Sequence, residues 1–183
     1  MGESMTDAER ELIAQAQGGD RHAFGKLVHL HREGVINVIY RMCGDPNLAE
    51  DVAQEAFIRA WQHLPNYQPR APFRSWVYRI ATNAALDVLR RQRETVDIDL
   101  LPLHSTAPGP EASVERQERA DRVRQAVLAL PPASRAALVL REYEGLSYLE
   151  IAETLDIPIG TVMSRLSYAR NHLRESLAPY LEA

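Results

Sequence analysis

A chain of 183 residues holds one large domain or two small ones. Hydrophobic residues make up 45% and charged residues 25%, the balance of a folded globular protein, which excludes a wholly disordered chain. The formal net charge of −4 argues against nucleic acid as a partner until its distribution is read.

In chain order, Thr6 and Glu9 form a capping box that opens a first helix, and Gly18-Gly19 stops it. Asp20 caps a second helix, whose apolar side is Phe24, Leu27, Val28, Val35, Val38, Ile39 and Met42, and Gly44 ends it. Asp45-Pro46 restarts the chain with Asp as N-cap and Pro at the first helical position. The third helix carries Leu48, Val52, Ala56, Phe57, Ala60, Trp61 and Leu64 at helical spacing. A loop with Pro65, Pro69 and Pro72 leads to a fourth helix over about 73–91, with Trp76, Val77, Ile80, Ala81, Ala84, Val88 and Leu89 inward. After the Pro-rich connector, helices run from Val114 to Leu130, over about 133–143, and from a second capping box, Ser147 with Glu150, through Leu155. A last long helix starts at Gly160-Thr161 and is expected to end near Leu177, before Pro179. No β-branched alternation occurs, so the expected fold is all-α.

Residues 93–117 hold Pro102, Pro108, Gly109 and Pro110 without an apolar period. They read as a flexible acidic linker between a domain over 1–92 and one over 118–183, the two loosely tethered. The charge follows the same division. Residues 70–93 hold six Arg and one acid, residues 94–118 six acids and one Arg, and residues 159–175 three Arg and one acid. Two basic stretches are masked by an acidic connector.

No apolar run is long enough to span a membrane. The polar, acidic start (Met1 to Asp7) lacks the pattern of a secretory signal. One cysteine, Cys43, forms neither an intrachain disulfide nor a Cys-rich zinc site, and the six histidines are scattered. The simplest expectation is a cytoplasmic protein with no membrane insertion, no metal and no cofactor.

Residues 147–165 have the layout of a helix-turn-helix. Two short helices must cross at a steep angle, which asks for a small residue at the crossing, and Ala152 is placed there. The turn needs a left-handed residue, which Asp156 tolerates less easily than Gly. Ile151, Leu155, Ile157, Val162 and Leu166 supply the shared interior. The second helix then presents Thr161, Met163, Ser164, Arg165, Ser167, Tyr168 and Arg170 outward, hydroxyls and cations suited to base edges and phosphates. The plain alternative is a structural hairpin with solvated arginines.

The third helix sets Asp51, Gln54 and Glu55 beside Phe57, Ile58 and Trp61. Two like charges four residues apart oppose helix stability slightly. They read either as a solvated acidic face or as a docking surface for a basic partner with apolar anchors. Catalysis is disfavoured, because no nucleophile or ligand set accompanies the carboxylates. The following loop and fourth helix mix Tyr67, Arg70, Phe73, Arg74, Trp76, Tyr78, Arg79, Asn83, Arg90, Arg91 and Arg93. That mixture suits a single strand, with Arg on phosphates, rings on bases and an amide on base edges. Trp76 reads as core rather than contact.

These strings together resemble a family. DVAQEAFIRAW, from Asp51 to Trp61, is similar to the core-binding helix of bacterial sigma factors. FRSWVYRIATNAALD, from Phe73 to Asp87, looks like their promoter-melting, minus-ten-reading helix. LPPASR from Leu130, LSYLEIA from Leu146 and GTVMSRL from Gly160 resemble their helix-turn-helix. The two-domain size is similar to the extracytoplasmic-function (ECF) group, and the resemblance spans about residues 8–178.

The resemblance implies a non-catalytic alternative sigma factor whose partners are core RNA polymerase, promoter DNA both duplex and single-stranded, and an anti-sigma factor. It implies that Asp51, Gln54, Glu55, Phe57, Ile58 and Trp61 dock on the clamp of the largest polymerase subunit. Tyr67, Arg70, Phe73, Arg74, Arg79, Asn83, Arg90 and Arg91 would read the minus-ten element on the non-template strand, with a flipped base held partly by the loop at 66–72. Residues 160–170 would read the minus-thirty-five duplex, and the linker would thread toward the polymerase cleft. Asp156, where Gly is more usual, and Tyr168, where many members are basic, depart from the pattern. Two other readings stay open: a stand-alone helix-turn-helix regulator, which would dimerise on a palindrome, and an enzyme acting on nucleic acid, which would need a nucleophile or metal carboxylates.

Overall fold

Local signals place the helix starts. Thr6 Oγ1 accepts from the Glu9 N–H at 3.2 Å and opens α1 (Asp7–Gln17). Asp20 Oδ1 accepts from the His22 and Ala23 N–H groups and opens α2 (Arg21–Cys43). Asp45, followed by Pro46, does the same for α3 (Pro46–His63). Each cap satisfies N–H groups that the first turn leaves without helical partners. Gly44 ends α2 in the left-handed region at φ 80°. A short 3-10 turn, Leu64–Asn66, leads to α4 (Phe73–Thr95). Then come α5 (Glu111–Leu128), α6 (Pro132–Glu142), α7 (Tyr148–Leu155) and α8 (Ile159–Leu181). The structure, a computed structural model, describes residues 6–69, 71–95 and 111–181. Among the described residues every regular element is helical, as expected.

Some boundaries differ from expectation: α4 runs on to Thr95 and α5 starts at Glu111, both inside the segment read as linker, and α5 ends at Leu128. α8 continues through Pro179 instead of stopping before it. Pro179 stands in the final turn, so only Tyr180 and Leu181 lie beyond the bond it removes and the crowding of its ring against the preceding turn.

α1 to α4 pack together, with α2 central against the other three. Its buried stripe, Leu27, Val35, Val38, Ile39 and Met42, meets Val52, Ala53 and Ala56 of α3 and Val77, Ala81 and Ala85 of α4. α5, α6 and α7 surround α8. There Ala137, Val139, Leu140, Ile151, Val162 and Leu166 are buried, while Val127, Leu130, Leu138 and Ala169 form a satellite cluster.

The two halves are not loosely tethered, and this corrects the expectation from the linker. α4 packs on α7 and α6, and α2 on α5 and α6, so one apolar cluster runs through both halves. Buried Arg135 of α6 is the strongest polar tie. Its guanidinium donates to the Met42 carbonyl at the end of α2 and to the carbonyls of Leu128 and Leu130. Arg124 Nη1 donates to the Tyr40 hydroxyl at 2.7 Å. Linker composition reports only on the connector; docking between domains depends on side chains far apart in sequence.

Candidate polymerase and nucleic-acid interfaces

Three surfaces carry the residues singled out from the sequence. The first is α3. Asp51, Gln54 and Glu55 are exposed, and Glu55 accepts from Arg59 Nε at 2.9 Å. Ile58 is 53% exposed, whereas Phe57 is buried and belongs to the core. Trp61 is half-buried and lies against Phe24 of α2, ring centroids 5.0 Å apart. Arg21, Phe24, Phe57, Ile58 and Trp61 line an open groove of about 310 Å³. Helical spacing assigned Phe24 only to the inner side of α2. Its partial exposure at the groove floor needed the α2–α3 packing to be seen.

The second surface is the loop after α3 and the outer side of α4. Here the aromatic residues behave differently from expectation. Tyr67 is 6% exposed and Phe73 1%. With half-buried Trp76 they form a ring cluster, with centroids 4.9 to 5.6 Å apart. The Tyr67 hydroxyl donates to the Ala71 carbonyl at 2.8 Å, which closes the loop. Burial, with a smaller contribution from the charge of Glu9, pushes its phenol up to about 12. Tyr67 and Phe73 are therefore core side chains here and not an exposed stacking platform. Their burial holds the loop onto α4, and the anticipated core role of Trp76 agrees.

Asn83, Arg90 and Arg91 are exposed and Arg74 and Arg79 half-buried. Asp87 receives Arg90 at 3.6 Å and Arg59 at 3.9 Å, so part of the basic charge is internally balanced. Arg70 lies outside the described residues. Tyr67, Gln68, Ala71, Ser75, Trp76 and Arg79 line a crevice of about 170 Å³, whose opposite wall is Glu153 and Thr154 of α7.

The third surface is the helix-turn-helix. Ser147 caps α7 reciprocally: its Oγ accepts from the Glu150 N–H at 3.2 Å, and the Glu150 carboxylate accepts from the Ser147 N–H at 2.7 Å. Those bonds hold the Glu150 carboxyl below its ordinary value. Asp156 sits at φ 55°, ψ 50° and makes the turn that the motif demands, and its N–H bonds the Ala152 carbonyl. Ile151, Val162 and Leu166 are buried at the crossing. The outer side of α8 shows Met163 at 55% and Tyr168 at 51% exposure, with Ser164 and Ser167 exposed and Thr161 and Arg165 half-buried. Ser164 Oγ donates to the Thr161 carbonyl at 3.0 Å. Arg170 turns back to its own domain, where Glu142 accepts from Nη2 at 2.8 Å and the Tyr148 hydroxyl lies 3.1 Å from Nη1. Both contacts favour its charged form, Glu142 the more.

Among the described residues, no cluster of His, Cys, Asp and Glu has the arrangement of a metal site, and no helix is long and apolar enough to cross a membrane.

Known proteins share two regions with this chain. Sigma-70 region 2 matches residues 27–95, and Sigma-70, region 4 matches residues 120–173. The ECF RNA polymerase sigma factor SigW of Bacillus subtilis is 36% identical over 92% of this chain and 96% of its own. The ECF RNA polymerase sigma-E factor of Escherichia coli is 33% identical over 99% of each. Among solved structures, CnrH in complex with the cytosolic domain of CnrY superimposes with a TM-score of 0.71 at 28% identity, covering 94% of this chain and 99% of that one.

Proposed function

The chain belongs to the ECF group of RNA polymerase sigma factors, and from that membership we propose how its surfaces divide the work. It is an alternative sigma factor that binds core RNA polymerase, directs promoter-specific initiation and is controlled by an anti-sigma factor. It acts in the cytoplasm and without catalysis, by lending sequence recognition to a polymerase.

Residues 1–92 supply polymerase docking and minus-ten reading, residues 93–117 the linker, and residues 118–183 minus-thirty-five reading. On α3, Asp51, Gln54 and Glu55 supply charge and polar contacts for a basic polymerase surface. Ile58 and Trp61, with Phe24 at the groove floor, supply the apolar anchor, and Phe57 supports it from beneath. On α4, Arg74, Arg79, Arg90 and Arg91 follow the strand backbone and Asn83 reads a base edge. Tyr67 and Phe73 shape the crevice beside them instead of stacking openly. On α8, Thr161, Met163, Ser164, Arg165, Ser167 and Tyr168 face the major groove, and Arg170 reaches phosphate once released from Glu142.

The observation that carries this reading is the presence on one chain of an exposed acid-and-apolar helix face, a basic helix and a helix-turn-helix. The test is transcription by core polymerase, with and without the protein, from templates with randomised upstream elements. Protein-dependent, sequence-selective transcripts are expected. Their absence, together with tight binding of the chain alone to a palindrome, would instead establish a stand-alone regulator.

A further inference from the structure

The loop between α3 and α4 is held from outside by α1. It carries Pro65, Pro69 and Pro72, which have no N–H to donate. The loop is therefore short of donors for its own carbonyls, and a carbonyl sheltered in a turn needs a partner. The Tyr67 N–H closes the 3-10 turn on the Leu64 carbonyl at 3.0 Å. Further support comes from Gln17, the last residue of α1. Its Nε2 donates to the Tyr67 carbonyl at 2.8 Å and to the Leu64 carbonyl at 3.1 Å.

A second contact from α1 runs beneath the ring cluster. Glu9 Oε1 lies 2.8 Å from His31 Nε2, with the two side chains only 16% and 13% exposed. The His31 ring is 5.4 Å from that of Phe73, and Phe73 meets Tyr67 edge-on at 5.6 Å. α1 thus reaches Tyr67 twice, directly at its backbone and through His31 and Phe73 at its ring. With Tyr67 turned inward, its neighbours Asn66 and Gln68 are exposed. Tyr67, Gln68 and Ala71 form one side of the crevice beside α4. α1 lies ahead of the segment shared with Sigma-70 region 2, and none of the residues given a recognition role stands on it.

We propose that Gln17 is a positioning residue for minus-ten recognition: its carboxamide fixes the turn at 64–67, so that the crevice beside α4 is formed before the strand arrives. The proposal rests on that loop and α4 reading the minus-ten strand. A side-chain amide suits the task because it carries two N–H groups for two carbonyls. Without them the turn must be ordered at the moment of binding, and that cost lowers affinity. The cost falls on the matched strand, because only a base seated in the crevice uses the loop.

The test uses the full-length chain assembled with core polymerase. Gln17→Met keeps the side-chain length and removes the donors. Gln17→Lys restores a group with more than one N–H. Gln15→Met makes the same change at an exposed position of α1, where the amide bonds only within the helix, to Glu11. The probes are the non-template minus-ten strand selected by transcription from randomised templates, and the same strand with each base exchanged singly. Gln17→Met should lose about fivefold of the discrimination at one base, the net effect of about one hydrogen bond, with affinity for core polymerase unchanged. Gln17→Lys should recover most of that loss, the ratio between strands cancelling any general effect of the added charge. Gln15→Met should match the wild type. A role confined to stability would instead weaken core binding, thermal stability and every strand together. That pattern, unchanged discrimination in Gln17→Met, an equal loss in Gln15→Met, or no recovery with Lys would each overturn the proposal. If the wild-type holoenzyme itself did not discriminate among the strands, the minus-ten reading would fall, and the proposal with it. Discrimination by the wild type that Gln17→Met retains would leave that reading standing and remove only the role of Gln17.

Discussion

Two glycines in α2 should respond oppositely to the same substitution. Gly25 and Gly34 are both helical, and Ala in place of a mid-helix Gly gains about 0.5–1 kcal/mol from reduced backbone freedom in the unfolded chain. A Cβ on Gly25 meets nothing within 4 Å, so Gly25→Ala should stabilise by about that amount. A Cβ on Gly34 would overlap the Tyr78 hydroxyl, with ring carbons Cζ and Cε1 at 3.4 and 3.5 Å. Tyr78 is buried and its hydroxyl is engaged with Glu144, so the ring cannot swing aside as a flexible chain end would. Overpacking of this kind costs about 1–3 kcal/mol. The clash wins, and Gly34→Ala should destabilise by about 1–2 kcal/mol net. Urea unfolding followed by far-ultraviolet circular dichroism reads both variants, with Gly25→Ala shifting the midpoint up and Gly34→Ala shifting it down. If Gly34→Ala were as stabilising as Gly25→Ala, the close approach of α2 and α4 through Tyr78 would be wrong.

Three further outcomes can be measured directly. Reversing charge with Asp51→Lys/Glu55→Lys should lower polymerase-dependent transcription at least about tenfold while stability stays within about 0.5 kcal/mol, since both side chains are exposed. Arg135→Ala should destabilise by about 2–4 kcal/mol in thermal unfolding, because it strips the charged donor from the Met42, Leu128 and Leu130 carbonyls. Burial pushes the Cys43 thiol up to about 11, against the lowering effect of Arg135. The thiol should therefore react with a disulfide reagent at pH 8 far more slowly in the native chain than in urea. The same shift stabilises the fold fully below pH 9, and that contribution is lost as pH rises from about 9 through 11, because the unfolded thiol deprotonates first.

The sequence was most legible where structure is decided locally. Asp20, Asp45, Ser147 and Glu150 act as the caps their spacing implies, Gly44 ends α2 as read, and Asp156 takes the left-handed position anticipated for it. These features depend on neighbours within four residues, so one sequence carries them. Tyr67 and Phe73 were harder. Both lie at or beside a loop, where helical periodicity cannot say which way a ring points, and aromatic residues mixed with Arg suit a binding surface and a core equally well. Ring packing against Trp76 decided for the core. The covering of α4 was invisible for a different reason. The partners of Arg74 and Arg79 stand 70 and 77 residues away, and no local pattern encodes a contact between two helices that each look complete alone.

The net charge of −4 also becomes intelligible through such pairings. Affinity for arbitrary DNA grows with each cation free to displace a counterion. Arg59, Arg79, Arg90, Arg122 and Arg170 each face a carboxylate within 4 Å, so a phosphate must compete with an acid already in place. Arg170 offers the cleanest test, because Glu142 holds it from outside α8. Glu142→Gln should free one cation on α8 without altering the residues proposed to face the groove. The slope of log affinity against log salt for a mixed-sequence duplex should then steepen by about 0.9, the effect of one added phosphate contact. Titration by fluorescence anisotropy across a salt series measures it. An unchanged slope would mean that Arg170 does not reach the DNA backbone and belongs to the packing of α8 on α6 and α7 instead.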